Sequence, residues 1–374
     1  MKKSRLLLVV LCLMVMTLSL SGVSAQDGLV DQTLFMTFVP NIQFAPVYVG
    51  NEKGYYAVNG INLDIQHGDE PDGVNLIAAG QLQFGIISGE QVILARANER
   101  PVVFVYEWFQ QYPVGIVVPA DSDIHSVADL AGHKVGIPGL FGASYSGLVA
   151  LLSANGMQES DINLEAIGYN APEVMCVGGV EAAVVYINNE PAQIENQCMD
   201  VRVFPVSDAA DLVSNGLVTN EDTIANNPDL VRGMVSAFDA GLRAVINNPA
   251  EAYLLSANYV DNLPLSADFR AALTTAAAEQ QTFLATNPSR ADIAASRALL
   301  REQLATQFDT DTLVQFDVLL RTIDMWDADQ LGVTDPASWT VTQDTLLTMG
   351  FLNAPSVDLA AAYTNDFLPV MTEG

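Results

Sequence analysis

The chain has 374 residues, half of them apolar, with 15 Lys and Arg against 44 Asp and Glu and a formal net charge of −29. Such acidity excludes most nucleic-acid partners, which require a basic face to neutralise phosphates, and it repels anionic membranes. Charge of one sign instead favours a dispersed monomer, and a chain this long exceeds what one hydrophobic core organises, so two lobes are expected.

Residues 1–25 read as a secretory signal. Lys2, Lys3 and Arg5 form a basic start, Leu6 to Leu20 an apolar run, and Val23-Ser24-Ala25 a small-residue cleavage site before Gln26. Cleavage removes three basic residues and no acidic ones, moving the formal charge from −29 to −32. An uncleaved anchor is the alternative, but the run of 15 residues is short for a membrane span. Cys12 sits inside that run, so no lipid-attachment signal is visible, and the means of retention at the membrane stays open. Export places the protein in the periplasm or at the outer face of the membrane. Cys176 and Cys198 then lie in an oxidising compartment, where a disulfide and two separately buried thiols are equal alternatives.

The first predicted strand is Gln32 to Val39, ending at Pro40-Asn41. Apolar residues at helical spacing follow over Ala45 to Tyr56, then a turn at Asn59-Gly60 and a strand over Ile61 to Gln66. The alternation continues with a helix over Gly73 to Ala79, a strand over Phe84 to Ile87, a helix over Glu90 to Asn98 and a strand over Val102 to Tyr106. It predicts a mostly parallel sheet covered on both faces. Val114 to Val118 reads as a strand leading through Pro119 towards Ser126, and a second lobe is expected to begin about there, with strands at Lys134 to Ile137, Asn163 to Ile167 and Ala182 to Tyr186 and a helix over Tyr145 to Asn155. Strand Val201 to Pro205 is expected to carry the chain back. Long alanine-rich amphipathic helices follow over Leu230 to Ile246, Ala250 to Asn258, Phe269 to Thr286 and Arg290 to Ala305. The expected division is residues 1–25 signal, 26–116 first lobe, 117–205 second lobe, and 206–374 return to the first lobe with C-terminal helices.

Four motifs occur in order. They are Gln43-Phe44-Ala45-Pro46-Val47-Tyr48 through Lys53-Gly54-Tyr55-Tyr56 with Gly60-Ile61-Asn62-Leu63; Ile77-Ala78-Ala79-Gly80 with Phe84-Gly85; Leu130-Ala131-Gly132-His133-Lys134-Val135-Gly136; and Gly179-Val180-Glu181-Ala182-Ala183. Together they cover roughly residues 32 to 250 and resemble the periplasmic solute-binding proteins related to the thiamine-pyrimidine synthases. The resemblance implies an α/β type-II periplasmic-binding fold, two lobes with a hinge near Gly115 to Pro119 and Pro205 and a ligand cleft at the strand carboxyl ends. It also implies a membrane permease of an ABC importer as partner and a small heteroaromatic vitamin as ligand. Riboflavin is the leading candidate and a thiamine pyrimidine precursor the alternative. The synthases of this family use adjacent cysteines, a lysine that anchors pyridoxal phosphate and a histidine; here Ile87, Ser88 and Gln91 stand in that region and no cysteine cluster occurs. No cofactor is therefore expected, and an exported enzyme or a receptor-coupled sensor on this fold ranks lower.

A flat heteroaromatic ring is held by stacking and a few polar groups at its edge. Candidate rings are Phe44, Tyr48, Trp108, Phe109, Tyr145 and Tyr186, each weighed against a role in the core, with Trp108 foremost because it follows a strand that should open on the cleft. Polar candidates are Asn41, Glu90, Asn188 and Glu190; Glu90 could equally favour a helix dipole. The glycine-rich Gly136 to Ser144 leads into a helix but lacks a P-loop ending. His67, His125 and His133 are isolated, so no metal site is expected, and no Gly-x-Ser-x-Gly elbow is present.

Overall fold

A computed structural model describes residues 28–261, 263–355 and 358–369; the expected signal segment, with Cys12, lies outside them. Strand β1 (Val30–Thr37) leads through helices α1 (Ala45–Glu52) and α2 (Tyr55–Val58) to β2 (Ile61–Gly68), α3 (Glu70–Ala78), β3 (Phe84–Ser88), α4 (Gly89–Ala97) and β4 (Val102–Glu107). The next strand, β5 (Val114–Pro119), belongs to a second sheet with β6 (Lys134–Ile137), β7 (Asn163–Ala166), β8 (Ala182–Tyr186) and β9 (Val201–Pro205). Between these strands lie α5 (Gly142–Ala154), α6 (Ala171–Cys176) and α7 (Glu190–Gln197). The chain returns at β10 (Asn215–Asn220) and continues as α8 (Glu221–Asn226), α9 (Pro228–Asn247), α10 (Pro249–Ser256), α11 (Ala267–Leu284), α12 (Arg290–Ala305), α13 (Thr310–Trp326) and α14 (Pro336–Thr348).

The first sheet has the order β2-β1-β3-β10-β4 and the second β7-β6-β8-β5-β9. Strands β1 to β3 are parallel, and β10 runs antiparallel between β3 and β4. In the second sheet β5 holds the corresponding place, antiparallel to both β8 and β9. Each sheet thus contains one strand that follows a crossing from the other, which ties the two halves by two segments, 108–113 and 206–214.

Three readings of the sequence need adjustment. Strand β5 pairs only within the second sheet from Val114 onward, so a division after residue 116 would fall inside it. Val201–Pro205 is an edge strand paired with β5, and the return is made by the segment after it. The expected helix over Ala45 to Tyr56 is also interrupted, because Gly54 adopts a left-handed φ of 72° and the chain restarts at Tyr55.

The central strands β3, β4 and β10 are buried along their whole length, as befits a sheet covered on both faces. On one face packs α9, whose Val231, Met234, Val235, Phe238, Leu242 and Val245 recur at helical spacing and are fully buried. Each such side chain contributes roughly 1.5–3 kcal/mol relative to exposure. Phe269, Leu273, Leu313, Phe316, Leu319 and Trp326, from α11 and α13, join the same core. The second sheet has its own core around Ile116, Val135, Leu148 and Val184.

Cys176, ending α6, and Cys198, just past α7, form a disulfide with Cα atoms 5.7 Å apart. It fastens two helices of the second half to each other, and of the two sequence alternatives the bonded one is observed.

Candidate ligand-binding cleft

Strand β1 ends where its extended backbone turns sharply: Phe38 has a φ of 95°, a conformation that bulky residues rarely adopt. It is pinned there by a 3.1 Å hydrogen bond from its N–H to Gly68 O, and its carbonyl meets His67 Nδ1 at 3.0 Å. Burial lowers the His67 pKa, and the contact with Phe38 O opposes that shift. The Phe38 ring is thereby aimed at the second half of the molecule, where it meets Tyr169 edge to face.

Behind this pair is a cavity between the two sheets, about 660 Å³ counting the part open to solvent. The first half contributes Phe38, Gln43, Phe44, Glu70 and Asn215; the second contributes Phe141, Ser144, Tyr169, Tyr186 and Glu190. Trp108 and Phe109, on the first crossing segment, complete the apolar floor. Convergence of strand-end loops from both sheets explains the position, since strand carboxyl ends and helix starts leave backbone polar groups and room for side chains there.

Five of the ten candidate residues line this cavity: Phe44, Trp108, Phe109, Tyr186 and Glu190. Trp108 is 1 % exposed and lies stacked on Trp326, with centroids 5.3 Å apart, while Phe44, Phe109 and Phe238 surround it. It forms the rigid base of the aromatic wall, and its indole N–H has no partner. Tyr186 reaches across with its hydroxyl, 3.1 Å from Asn215 Oδ1. Glu190 accepts hydrogen bonds from the Tyr186 N–H at 2.9 Å and Asn189 Nδ2 at 3.1 Å, yet burial still pushes its carboxyl up to about 7.

The other five stand elsewhere. Asn41 caps a short 3-10 turn, accepting a hydrogen bond from Gln43 N–H. Tyr48 is stacked on Tyr259 within the core, and Tyr145 stacks on Phe351 while donating to Glu159 at 2.7 Å. Asn188 sits behind the cavity wall, donating to Gln43 Oε1 at 2.7 Å and Thr322 Oγ1 at 2.8 Å, so it sets the orientation of a lining amide. Glu90 lies beneath the wall, its Oε1 2.6 Å from Ser88 Oγ. Burial, with the nearby Glu70 charge adding to it, pushes the Glu90 carboxyl up to about 8.

Gln43, Glu70, Phe38, Phe141 and Tyr169 line the cavity without having been singled out from the sequence. Phe38, beside Pro40-Asn41 at the end of a predicted strand, carried the same positional signal as Trp108. Glu70 is one of 44 acidic residues and carries no local signal of its own, yet it is 5 % exposed. Among the described residues no group of three or more His, Cys, Asp or Glu could hold a metal ion, and no helix is long and apolar enough to cross a membrane.

The NMT1/THI5-like family model matches residues 41–252, more than half of the chain and nearly all of the segments that build this cleft. The chain belongs to the NMT1/THI5-like family. A riboflavin-binding protein, RibY, from Chloroflexus aurantiacus is 33 % identical over 349 residues, covering 92 % of this chain and 88 % of the relative. A formylaminopyrimidine-binding protein from Halalkalibacterium halodurans is 28 % identical over 65 % of this chain and 75 % of its own length. The periplasmic aliphatic sulphonate-binding protein SsuA from Escherichia coli superimposes with a TM-score of 0.53 at 18 % identity, covering 82 % of this chain and 94 % of that one. The fold of this NMT1/THI5-like member is the periplasmic-binding-protein fold expected from its motifs.

Proposed function

We propose that this protein is the extracytoplasmic substrate-binding component of an ABC importer, that its ligand is riboflavin, and that the ligand is bound without chemical change. The observation that carries the reading is the interlobe cavity, walled by Phe38, Phe44, Phe109, Phe141, Tyr169 and Tyr186 and edged by Gln43, Glu190 and Asn215. Aromatic walls with few polar groups suit a planar ring that is uncharged on its faces and rich in hydrogen-bonding atoms at its edge. The 33 % identity to a riboflavin-binding protein along nearly the whole chain supports the same ligand.

A binding role without chemistry agrees with the state of the cleft's reactive groups. Ser88 is fully buried between two carboxyls and unavailable as a nucleophile. Ser144 lines the cavity, but no histidine or lysine stands with it there.

The two lobes are taken as 28–107 with 215–369, and 114–205, opening about segments 108–113 and 206–214. Closure over the ligand would present the joined lobes to a permease. The signal-like residues 1–25 and the disulfide support an extracytoplasmic location.

Melting temperature measured with riboflavin, thiamine and formylaminopyrimidine tests the reading, since a ligand of the native state alone raises it. A rise with riboflavin is expected. A rise with the pyrimidine alone would replace the ligand and keep the transport role.

A further inference from the structure

Resting on the flavin reading, we infer that Glu70 makes the cleft select an uncharged ligand and reject the phosphorylated form of the same ring. Helix α5, 13 residues long, begins at the cavity wall with Gly142, Ala143 and Ser144. The free N–H groups of such a helix start attract anions. Here that place is taken from the opposite lobe: Glu70 Oε2 accepts a 2.9 Å hydrogen bond from Ala143 N–H. The fit is close, since a Cβ on Gly142 would stand 2.5 Å from the same oxygen.

The charge at this point follows from hydrogen-bond counting. Ser88 Oγ lies 2.6 Å from Glu70 Oε1 and 2.6 Å from Glu90 Oε1, and one hydroxyl has one proton to give. At least one carboxyl must therefore be protonated. Burial raises the Glu70 carboxyl, but the N–H groups of Ser88, at 2.7 Å, and Ala143 donate to it and favour its ionised form, while Glu90 keeps a buried oxygen without a partner. The proton belongs on Glu90, which donates to Ser88, which donates to Glu70. The negative charge stays on Glu70, at the cavity wall.

No basic side chain in the lining offsets it. The cavity residues include no Lys, Arg or His, and the other helix that starts there, α7, opens with an acid of its own, Glu190. A phosphate group entering this space would give up water to meet fixed negative charge and an anion site already filled. Glu70 thus does two things at once: it ties α5 to the first lobe when the cleft is closed, and it sets the charge of the ligand that can be enclosed.

Flavin fluorescence titrations of the wild type, Glu70→Gln and Glu70→Ala with riboflavin and riboflavin 5′-phosphate test this. The wild type is expected to bind riboflavin at least about tenfold tighter than its phosphate ester, a difference of about 1.4 kcal/mol, and both variants to narrow that ratio severalfold. Equal binding of the two flavins by the wild type, or an unchanged ratio in folded variants, would overturn the inference and leave the riboflavin reading intact. If neither flavin binds, that reading falls, and melting temperature in millimolar inorganic sulfate decides the inference instead. A saturable rise in a Glu70 variant beyond that of the wild type supports it, and identical responses overturn it. Glu70→Gln, which keeps an acceptor oxygen for Ala143, serves should the alanine variant fail to fold.

Discussion

Phe38 and Tyr169 meet edge to face across the cleft, with ring centroids 4.7 Å apart and planes at 84°. One follows the last residue of β1 and the other precedes α6, so their contact exists only when the two halves are together. The backbone strain at Phe38, of the order of 1–3 kcal/mol, is held by the packing around it. Phe38→Ala and Tyr169→Ala are each expected to weaken riboflavin binding about five- to tenfold. In a double-mutant cycle the pair should couple by about 1 kcal/mol; strict additivity would mean that the two rings do not act together on the ligand.

Trp108 follows a different course because it is packed against Trp326, Phe44, Phe109 and Phe238. Trp108→Ala should cost about 3–5 kcal/mol of stability, read by denaturant unfolding, as well as at least ~1 kcal/mol of ligand affinity. A folded variant of unchanged stability would contradict its placement at the base of the wall.

Stability should fall as pH rises from 5 to 9. Glu90, Glu107 and Glu190 are raised by burial to about 8, about 7 and about 7, respectively. A raised carboxyl binds its proton more tightly folded than unfolded, so its contribution is complete below its unfolded value and is lost as pH climbs through the folded one. The slope from one such group is roughly 1.4 kcal/mol per pH unit within that window. Glu90→Gln should flatten the melting-temperature profile between pH 5 and 8, and an unaltered profile would show that Glu90 titrates normally.

Cys176→Ser should lower stability by about 3 kcal/mol, the loop-closure estimate for a crosslink spanning 22 residues of sequence. The disulfide lies away from the cavity lining, so riboflavin affinity of the folded variant should change less than twofold. A large loss of affinity would connect α6 to the cleft more tightly than the geometry does.

The alternating strands and helices were legible because their apolar spacing is regular, and the four motifs placed them in one fold family. Strand β10 was not read. Its Asn215-Gly216 start looks like a turn, yet all six residues are buried, and Gly216 is needed because a Cβ would overlap the Phe104 ring and Tyr106 O. Helix α13 went unread too, although Leu313, Phe316, Leu319 and Ile323 keep helical spacing, because Asp and Thr interrupt the pattern.

Within the cleft, residues just beyond strands were legible because strand carboxyl ends open there; Phe44, Trp108, Phe109, Tyr186 and Glu190 all reach the cavity. At the start of α5 the sequence offers Ser144 or Tyr145 as a ligand contact; Ser144 lines the cavity, whereas the roughly 100° turn to the next helical residue sends Tyr145 to Phe351. Glu70 and Tyr169 depend on contact between the lobes, which no local pattern encodes.

The cavity between the lobes is proposed to enclose riboflavin. Titration of the purified protein, lacking residues 1–25, with riboflavin by isothermal calorimetry tests it most directly. One site per chain, quenched flavin fluorescence, and an affinity reduced together by Phe38→Ala and Tyr186→Ala are expected. Absence of heat and of quenching at ligand concentrations up to the millimolar range would contradict it.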